Sequence, residues 1–271
     1  MQELSIFWLR VATALYAVGL LHALVTVLRR ESTLFRPALA AFVVASILHW
    51  VSIIDRWFAV GHFPVNNFFE SVSLCAFLMA LVYLYAFWRH EFASLAVLAF
   101  PLVFIMALLA ATEAPVAGWA DTRVRGAWLL LHVGLVLVGY AALFLTAGAS
   151  VFYLVEERRL KRKVLGGFKR LPPLGTLDEM ITRSMGIGFA LLTVATVVGA
   201  TWAYVESGTR WIGDPKIAIS LLTWALCLVM VFLRNSAGWR GRKAALMSLS
   251  VLGAAALTWA AHVGLRPSLM K

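Results

Sequence analysis

Eight long apolar stretches separated by short polar connections dominate the chain. They run from about Leu4 to Leu28, Pro37 to Ile54, Asn67 to Trp88, Phe92 to Ala111, Ala127 to Val155, Met185 to Val205, Ile217 to Leu233 and Ala244 to Leu265. A helix of about 20 apolar residues crosses a bilayer core of roughly 30 Å, so each stretch predicts one transmembrane helix. The expected fold is all-α: a polytopic membrane protein with eight spans, forming a single membrane domain over residues 1–271.

Composition agrees and narrows the possibilities. Apolar residues make up 62% of the 271 residues and charged residues 14%, with mean hydropathy +0.87. A soluble domain sits nearer to about 45–50% and 25%, so most of this surface must face lipid. Soluble enzyme folds, disordered tails and secreted disulfide scaffolds are excluded together. Cys75 and Cys227 each lie inside an apolar run without CxxC or metal-ligand spacing, so they read as small buried hydrophobes rather than a disulfide or zinc site.

The net charge of +11 would suggest a nucleic-acid partner only if the basic residues shared a soluble face. Instead they occupy the connections between spans, so no nucleic acid is expected and the lipid bilayer is the partner. Sixteen of the 24 Lys and Arg residues fall in the first, third, fifth and seventh connections; seven fall on the other side, and Arg10 lies within the first span. The cytoplasmic side collects the excess, which predicts both termini on the outer, periplasmic side. MQELSIFWLR lacks the basic n-region of a cleavable signal, so the first helix is expected to be retained.

The longest connection, EERRLKRKVLGGFKRLPPLGTLDEMITRS, is strongly basic. It reads as a topology anchor on anionic headgroups or as a partner-docking surface. Thr176 and Glu179 have capping-box spacing, which predicts a short helix leading into the sixth span.

Ionisable groups at membrane depth are costly and functionally informative. His90 and His62 fall in connections and read as solvated. His22 lies toward the inner end of the first span, where a helix-packing hydrogen bond and chemistry both remain open. His132 lies about two turns into the fifth span, and His262 near the outer end of the last, so both sit at one depth. Two helices each delivering an imidazole suit bis-histidine haem ligation; packing or interfacial hydrogen bonding is the other reading. His49, in the outer half of the second span, is either a satisfied core residue or one ligand of a second site.

The connection between the sixth and seventh spans holds Trp202, Trp211, Asp214 and Pro215. Asp214 and Pro215 suit an N-cap and first helical residue, and the tryptophans suit an interfacial belt. Asn67 and Glu70 have the N-cap to N3 spacing that would start the third helix.

Together these segments resemble the cytochrome c assembly family, the CcsA, ResC and CcmC group of haem-handling membrane proteins. NNFFESVSL is similar to that family's N-x-Y-E-S-L segment, and WLLLHVGLVLVGYA to its L-H-V…G-Y-A helix. GATWA…RWIGDPK…LLTW resembles its tryptophan-rich loop, and GWRGRKAA the basic turn before its last helix. The resemblance runs from about Ser46 to Gly264. It implies a multi-pass protein of the bacterial cytoplasmic (inner) membrane whose tryptophan-rich loop holds haem on the outer face, with external histidines as axial ligands.

Carried onto this chain, the resemblance makes His132 the first external histidine and His262 a displaced substitute for the second. His49 matches an intramembrane histidine, and Trp202, Trp211, Asp214 and Pro215 match the signature loop. It also implies haem as bound or transferred ligand, a ResB/CcsB-like membrane partner, and an apocytochrome c whose CxxCH thiols receive the haem.

The signature usually reads W-x-W-D-P-K-E-T-W. Here Trp211 is followed by Ile212, Gly213, Asp214, Pro215, Lys216, Ile217, Ala218 and Ile219, and Phe232 stands where CcsA-type members place a second intramembrane histidine. These departures resemble a HemX-like branch. They keep a second function open, that of a regulatory or scaffolding membrane subunit which has lost haem binding.

Overall fold

A computed structural model describes residues 2–29, 35–112, 123–163, 171–209, 213 and 215–264. Eight α-helices occur at the eight expected places: α1 (Gln2–Arg29), α2 (Phe35–Val60), α3 (Phe68–His90), α4 (Ala96–Ala111), α5 (Arg123–Lys161), α6 (Leu174–Ser207), α7 (Pro215–Ser236) and α8 (Arg242–Gly264). A 3-10 turn, Ala93–Leu95, leads into α4, and no strand is present among the described residues. Seven helices, α1 to α7, are long and apolar enough to cross a membrane among the described residues, and α8, at 23 residues, has the same length class. This is an all-α, multi-pass membrane architecture.

The chain falls into two compact units, Met1–Leu130 and Leu131–Lys271. In lipid the hydrophobic effect does little to join one helix to another, so close packing and interhelical hydrogen bonds must do so. The first unit uses aromatic rings. Phe42 of α2 stacks on Phe100 of α4 at 4.1 Å, while Tyr83 of α3 meets both edge-on at 5.3 and 5.2 Å. Tyr16 brings α1 against Phe42 at 5.0 Å. Ser52 of α2 donates to the Ser5 carbonyl, which fixes α1 and α2 antiparallel.

The second unit uses small residues. Leu192 of α6 sits over Gly139 of α5, and Leu143 of α5 sits over Gly188 of α6, so each helix seats a leucine in the other's glycine notch. A Cβ at Gly139 would lie 3.0 Å from Leu192, and one at Gly188 would lie 3.2 Å from Leu143. Further along, Thr146 and Ser184 hydroxyls bond at 2.7 Å. Trp224 of α7 donates to Thr193 of α6, and Thr223 of α7 bonds Thr258 of α8 at 2.7 Å. The residue pairings make each neighbouring pair antiparallel.

Local signals behave as physical chemistry requires, with one correction. Asn67 is extended and accepts from the Glu70 N–H, and the Glu70 carboxylate reaches back to the Asn66 N–H at 2.8 Å. Pro215 is the first residue of α7. By contrast, Thr176 and Glu179 do not form a capping box or a separate short helix. Helix α6 runs unbroken from Leu174, behind Pro173, which makes no side-chain cap. Pro173 already ends the extended segment and fixes the start, and Glu179 turns instead to Arg183 one turn ahead. The basic connection is also more helical than expected, because Glu156–Arg159 and Glu157–Lys161 pairs support the end of α5.

Candidate functional site

His132 sits in the third turn of α5, half-buried against α6. Its Nδ1 donates to the backbone carbonyl of Ala195 at 2.9 Å. That carbonyl belongs to a residue 63 positions away, so the bond orients the ring through tertiary packing. A carbonyl oxygen can only accept, so Nδ1 carries the proton and Nε2 the lone pair. This is the tautomer that iron ligation through Nε2 requires, and a carbonyl behind the other nitrogen is the usual device that orients a ligating imidazole.

Room for the ring comes from Gly199. A Cβ there would fall 2.5 Å from His132 Cε1 and 2.8 Å from Nδ1. Gly199 lies one turn beyond Ala195, and Trp202 follows it at about 4.5 Å further along the helix axis. The His132 contact therefore lies in the half of α6 that leads into the α6–α7 connection, about 12 to 18 Å short of the helix end. Trp202 is half-buried on α6. Trp211 and Asp214 lie outside the described residues. His262 is in the last turn of α8, with its side chain likewise outside the described set. Antiparallel packing puts the α8 C-terminus at the same end of this unit as the α5 N-terminus.

His49 belongs to the other unit and is fully buried. Both of its ring nitrogens are engaged: Nε2 lies 2.9 Å from Ser73 Oγ on α3, and Nδ1 lies 3.4 Å from the Tyr16 hydroxyl on α1. Tyr16 donates to Ser46, which donates to the Phe42 carbonyl. Because this series of hydrogen bonds ends on a carbonyl, its polarity runs from Ser73 through His49, Tyr16 and Ser46 to Phe42, with Nδ1 protonated. Phe77 and Tyr16 meet the ring edge-on at 5.7 and 6.0 Å. His49 thus ties three helices together by hydrogen bonds.

Two of the remaining histidines make local bonds. His22 is exposed and bonds the Val18 carbonyl of its own helix. His62 is exposed and bonds the adjacent Phe63 carbonyl. His90 is in the last turn of α3. Both cysteines are buried free thiols. Among the described residues no group of three or more His, Cys, Asp or Glu side chains is placed to hold a metal ion.

Two features were not singled out from the sequence. One is the space at Gly199, embedded in GATWA, which only the ring on the neighbouring helix explains. The other is a clamp at the basic end of the second unit. There Arg234 Nη2 donates to Asp178 Oδ2 at 2.7 Å and to the Asp178 carbonyl at 3.0 Å, while the Gly241 N–H donates to Asp178 Oδ1 at 3.0 Å. Arginine near the end of a span and aspartate near the start of another is a readable signal, but their pairing across 56 positions is not.

Comparison with known proteins agrees with this architecture. A family model described as Cytochrome C assembly protein matches residues 41–261. The chain is similar to the cytochrome c biogenesis protein CcsA of Prochlorococcus marinus (strain MIT 9312), 29% identical over 232 residues, covering 77% of this chain and 75% of that protein. It is equally similar to CcsA of Synechococcus sp. (strain CC9605), 29% identical with 76% of each chain covered. Among solved structures, the cytochrome c heme lyase CcmF superposes with TM-score 0.70 at 18% identity, over 95% of this chain and 46% of that one. The chain thus spans less than half the length of CcmF, and that likeness speaks to fold. With the family match covering most of its length, this multi-pass helical chain belongs to the cytochrome c assembly protein family.

Proposed function

We propose that the protein handles haem at the outer face of the bacterial cytoplasmic membrane in support of cytochrome c maturation, with His132 Nε2 as an iron-ligating nitrogen. The observation that carries this reading is the Nδ1–H bond from His132 to the Ala195 carbonyl. It leaves the lone pair on the nitrogen that a ligand uses and holds the ring in the half of α6 that carries Trp202. The donor chemistry fits haem iron, which takes neutral imidazole.

His262 is proposed as the second axial ligand, with Trp202 and Trp211 as the stacking surface and Asp214 as a loop residue. His49 is proposed to assist haem within the membrane, exchanging its Ser73 bond for the ligand. Haem is cargo in this reading: when bound it supplies the vinyl groups to which apocytochrome thiols add, while this chain binds, orients and shields it. Family membership supports the maturation role. A ResB/CcsB-like membrane protein and apocytochrome c are the proposed partners, and the sixteen-to-seven bias of basic residues supports outer termini.

The second reading is a HemX-like regulatory or scaffolding subunit without haem. It is favoured by Gly213 and Ile219, which stand where the signature carries tryptophan, and by Ile217, which stands where it carries glutamate. Absorption spectra of the detergent-purified protein, oxidised and reduced, decide between them. The haem reading expects Soret and alpha bands typical of bis-histidine iron that largely disappear in His132→Ala. A colourless preparation that also fails to take up added haem supports the scaffold.

A further inference from the structure

At the end of the first unit where α2 stops and α3 begins, a narrow, half-open recess of about 40 Å³ descends among helices α1 to α4. Five polar residues line it: Ser5, Ser52, Arg56, Glu70 and Ser73. We propose that it is a water well whose innermost water bonds the Ser73 hydroxyl, so that water stands one side chain away from the fully buried His49.

The position of Ser73 carries the inference. It lies about 7.5 Å along the axis from the start of α3, deep enough to be walled by other helices, yet it is partly exposed and lines the recess. His49 has no exposed surface of its own, and Ser73 Oγ lies 2.9 Å from its Nε2. With Nδ1 protonated, the hydroxyl donates to Nε2 and keeps its lone pairs for a donor on the other side. Ser73 thus joins the recess to the series of bonds that runs through His49, Tyr16 and Ser46 to the Phe42 carbonyl.

Size and charge select the occupant. A water needs about 10–15 Å³ and two to four polar partners, so the recess has room for about two or three, whereas small organic ligands take roughly 300–1,000 Å³. Arg56 Nε faces Glu70 Oε1 at 3.3 Å, so the charges in the lining are matched and call for neither a bound anion nor a bound cation. Acceptors are at hand. Each Glu70 oxygen takes one donor, from Arg56 or from the Asn66 N–H, and Ser52 Oγ donates to the Ser5 carbonyl, which leaves lone pairs on all three atoms. Glu70 and Ser73 stand about 4.5 Å apart along α3, and Arg56 and Ser52 about 6 Å apart along α2, steps that a bridging water covers.

The well gives the Ser73 hydroxyl a second acceptor. Turned away from Nε2 against a dry wall it would be orphaned, which is costly; turned toward water it is not. The exchange of the Ser73 bond proposed for His49 thereby gains a destination. That consequence rests on the haem reading, whereas the well itself does not.

The test is radiolytic hydroxyl-radical labelling of the full chain in detergent, without added haem. A short X-ray pulse turns bound water into radicals that mark adjacent side chains, read by mass spectrometry and corrected for the reactivity of each side-chain type. Ile53, 3% exposed on the lining, and His49 are compared with Leu95 and Phe100, which are fully buried away from the recess. The well predicts labels at Ile53 and His49 several-fold above those at Leu95 and Phe100. Ala110→Val and Leu9→Phe fill the recess from α4 and α1 without changing charge, and each should bring both labels down to the reference level, so either serves if the other fails to fold. Ser73→Ala should raise the His49 label, because water then bonds Nε2 directly, while a hydroxyl with only a packing role would leave it unmoved. Thr13→Val removes a buried hydroxyl outside the recess and should change neither label. Parent labels no higher than those at Leu95 and Phe100, labels that survive both fillings, or a His49 label unmoved in Ser73→Ala overturns the proposal. With no haem present, each outcome is separate from the absorption test of His132.

Discussion

The imidazole of His132 and the backbone carbonyl of Ala195 are joined at 2.9 Å, and this one bond sets the ring's tautomer and its direction. Gly199 keeps the space it needs. A methyl group at Gly199 would enter the ring itself, so Gly199→Ala is expected to displace His132 and weaken haem absorption nearly as much as His132→Ala. Overpacking of this kind costs about 1–3 kcal/mol. Gly186→Ala, on the same helix with nothing within 4 Å, should leave the spectrum unchanged. Equal spectra for Gly199→Ala and the parent protein would remove His132 from the haem reading.

The Asp178–Arg234 clamp predicts a separable effect on folding. Arg234→Leu leaves a largely buried carboxylate with only one N–H donor and is expected to cost about 3 kcal/mol. The double variant Asp178→Leu with Arg234→Leu should recover much of that loss, since neither charge is then orphaned. Thermal unfolding in detergent reads both, and a double variant no more stable than the single would show that the pair's attraction, rather than the stranded charge, sets the cost.

His49 offers a test of hydrogen bonding against ligation. His49→Phe retains bulk but removes the partners of Ser73 and Tyr16, at an expected cost of about 1–3 kcal/mol, and His49→Ala should cost more because a cavity is added. An altered haem spectrum in His49→Phe at unchanged haem content would show that the ring also touches the cargo.

At the start of α3, Asn67→Ala should cost about 1 kcal/mol through loss of the N-cap. Glu70→Ala should cost more. It removes both the reach to Asn66 and the partner of Arg56, 3.3 Å away with Glu70 7% exposed. Comparison of the two melting temperatures checks the order.

Orientation is open to labelling. In a background with Cys75→Ala and Cys227→Ala, Gly208→Cys is expected to react with a membrane-impermeant maleimide added to intact cells. Arg240→Cys should react only after the membrane is opened. The reverse pattern would invert the assignment drawn from the basic connections.

What could be read from the sequence was what depends on neighbours along the chain. The eight helices follow from apolar length, the α3 cap from Asn67 and Glu70 standing three apart, and the start of α7 from Pro215. The same local logic misjudged Thr176 and Glu179, because Pro173 had already determined where α6 begins. The depth of His132 was legible, but its acceptor was not, since spacing says nothing about which carbonyl of another helix lies opposite. Gly199 and the Asp178–Arg234 pair were hidden for the same reason: each acquires meaning only from a residue dozens of positions away.

The reciprocal seating of Leu192 over Gly139 and Leu143 over Gly188 acts as a mechanical detent. Sliding α5 along α6 would drive each isobutyl group out of its recess and onto bare backbone, so a piston stroke between these two helices is barred. On the proposed haem reading, accommodation of a guest at His132 must then come from a swivel of the imidazole, or from the two rods tilting together as one lever.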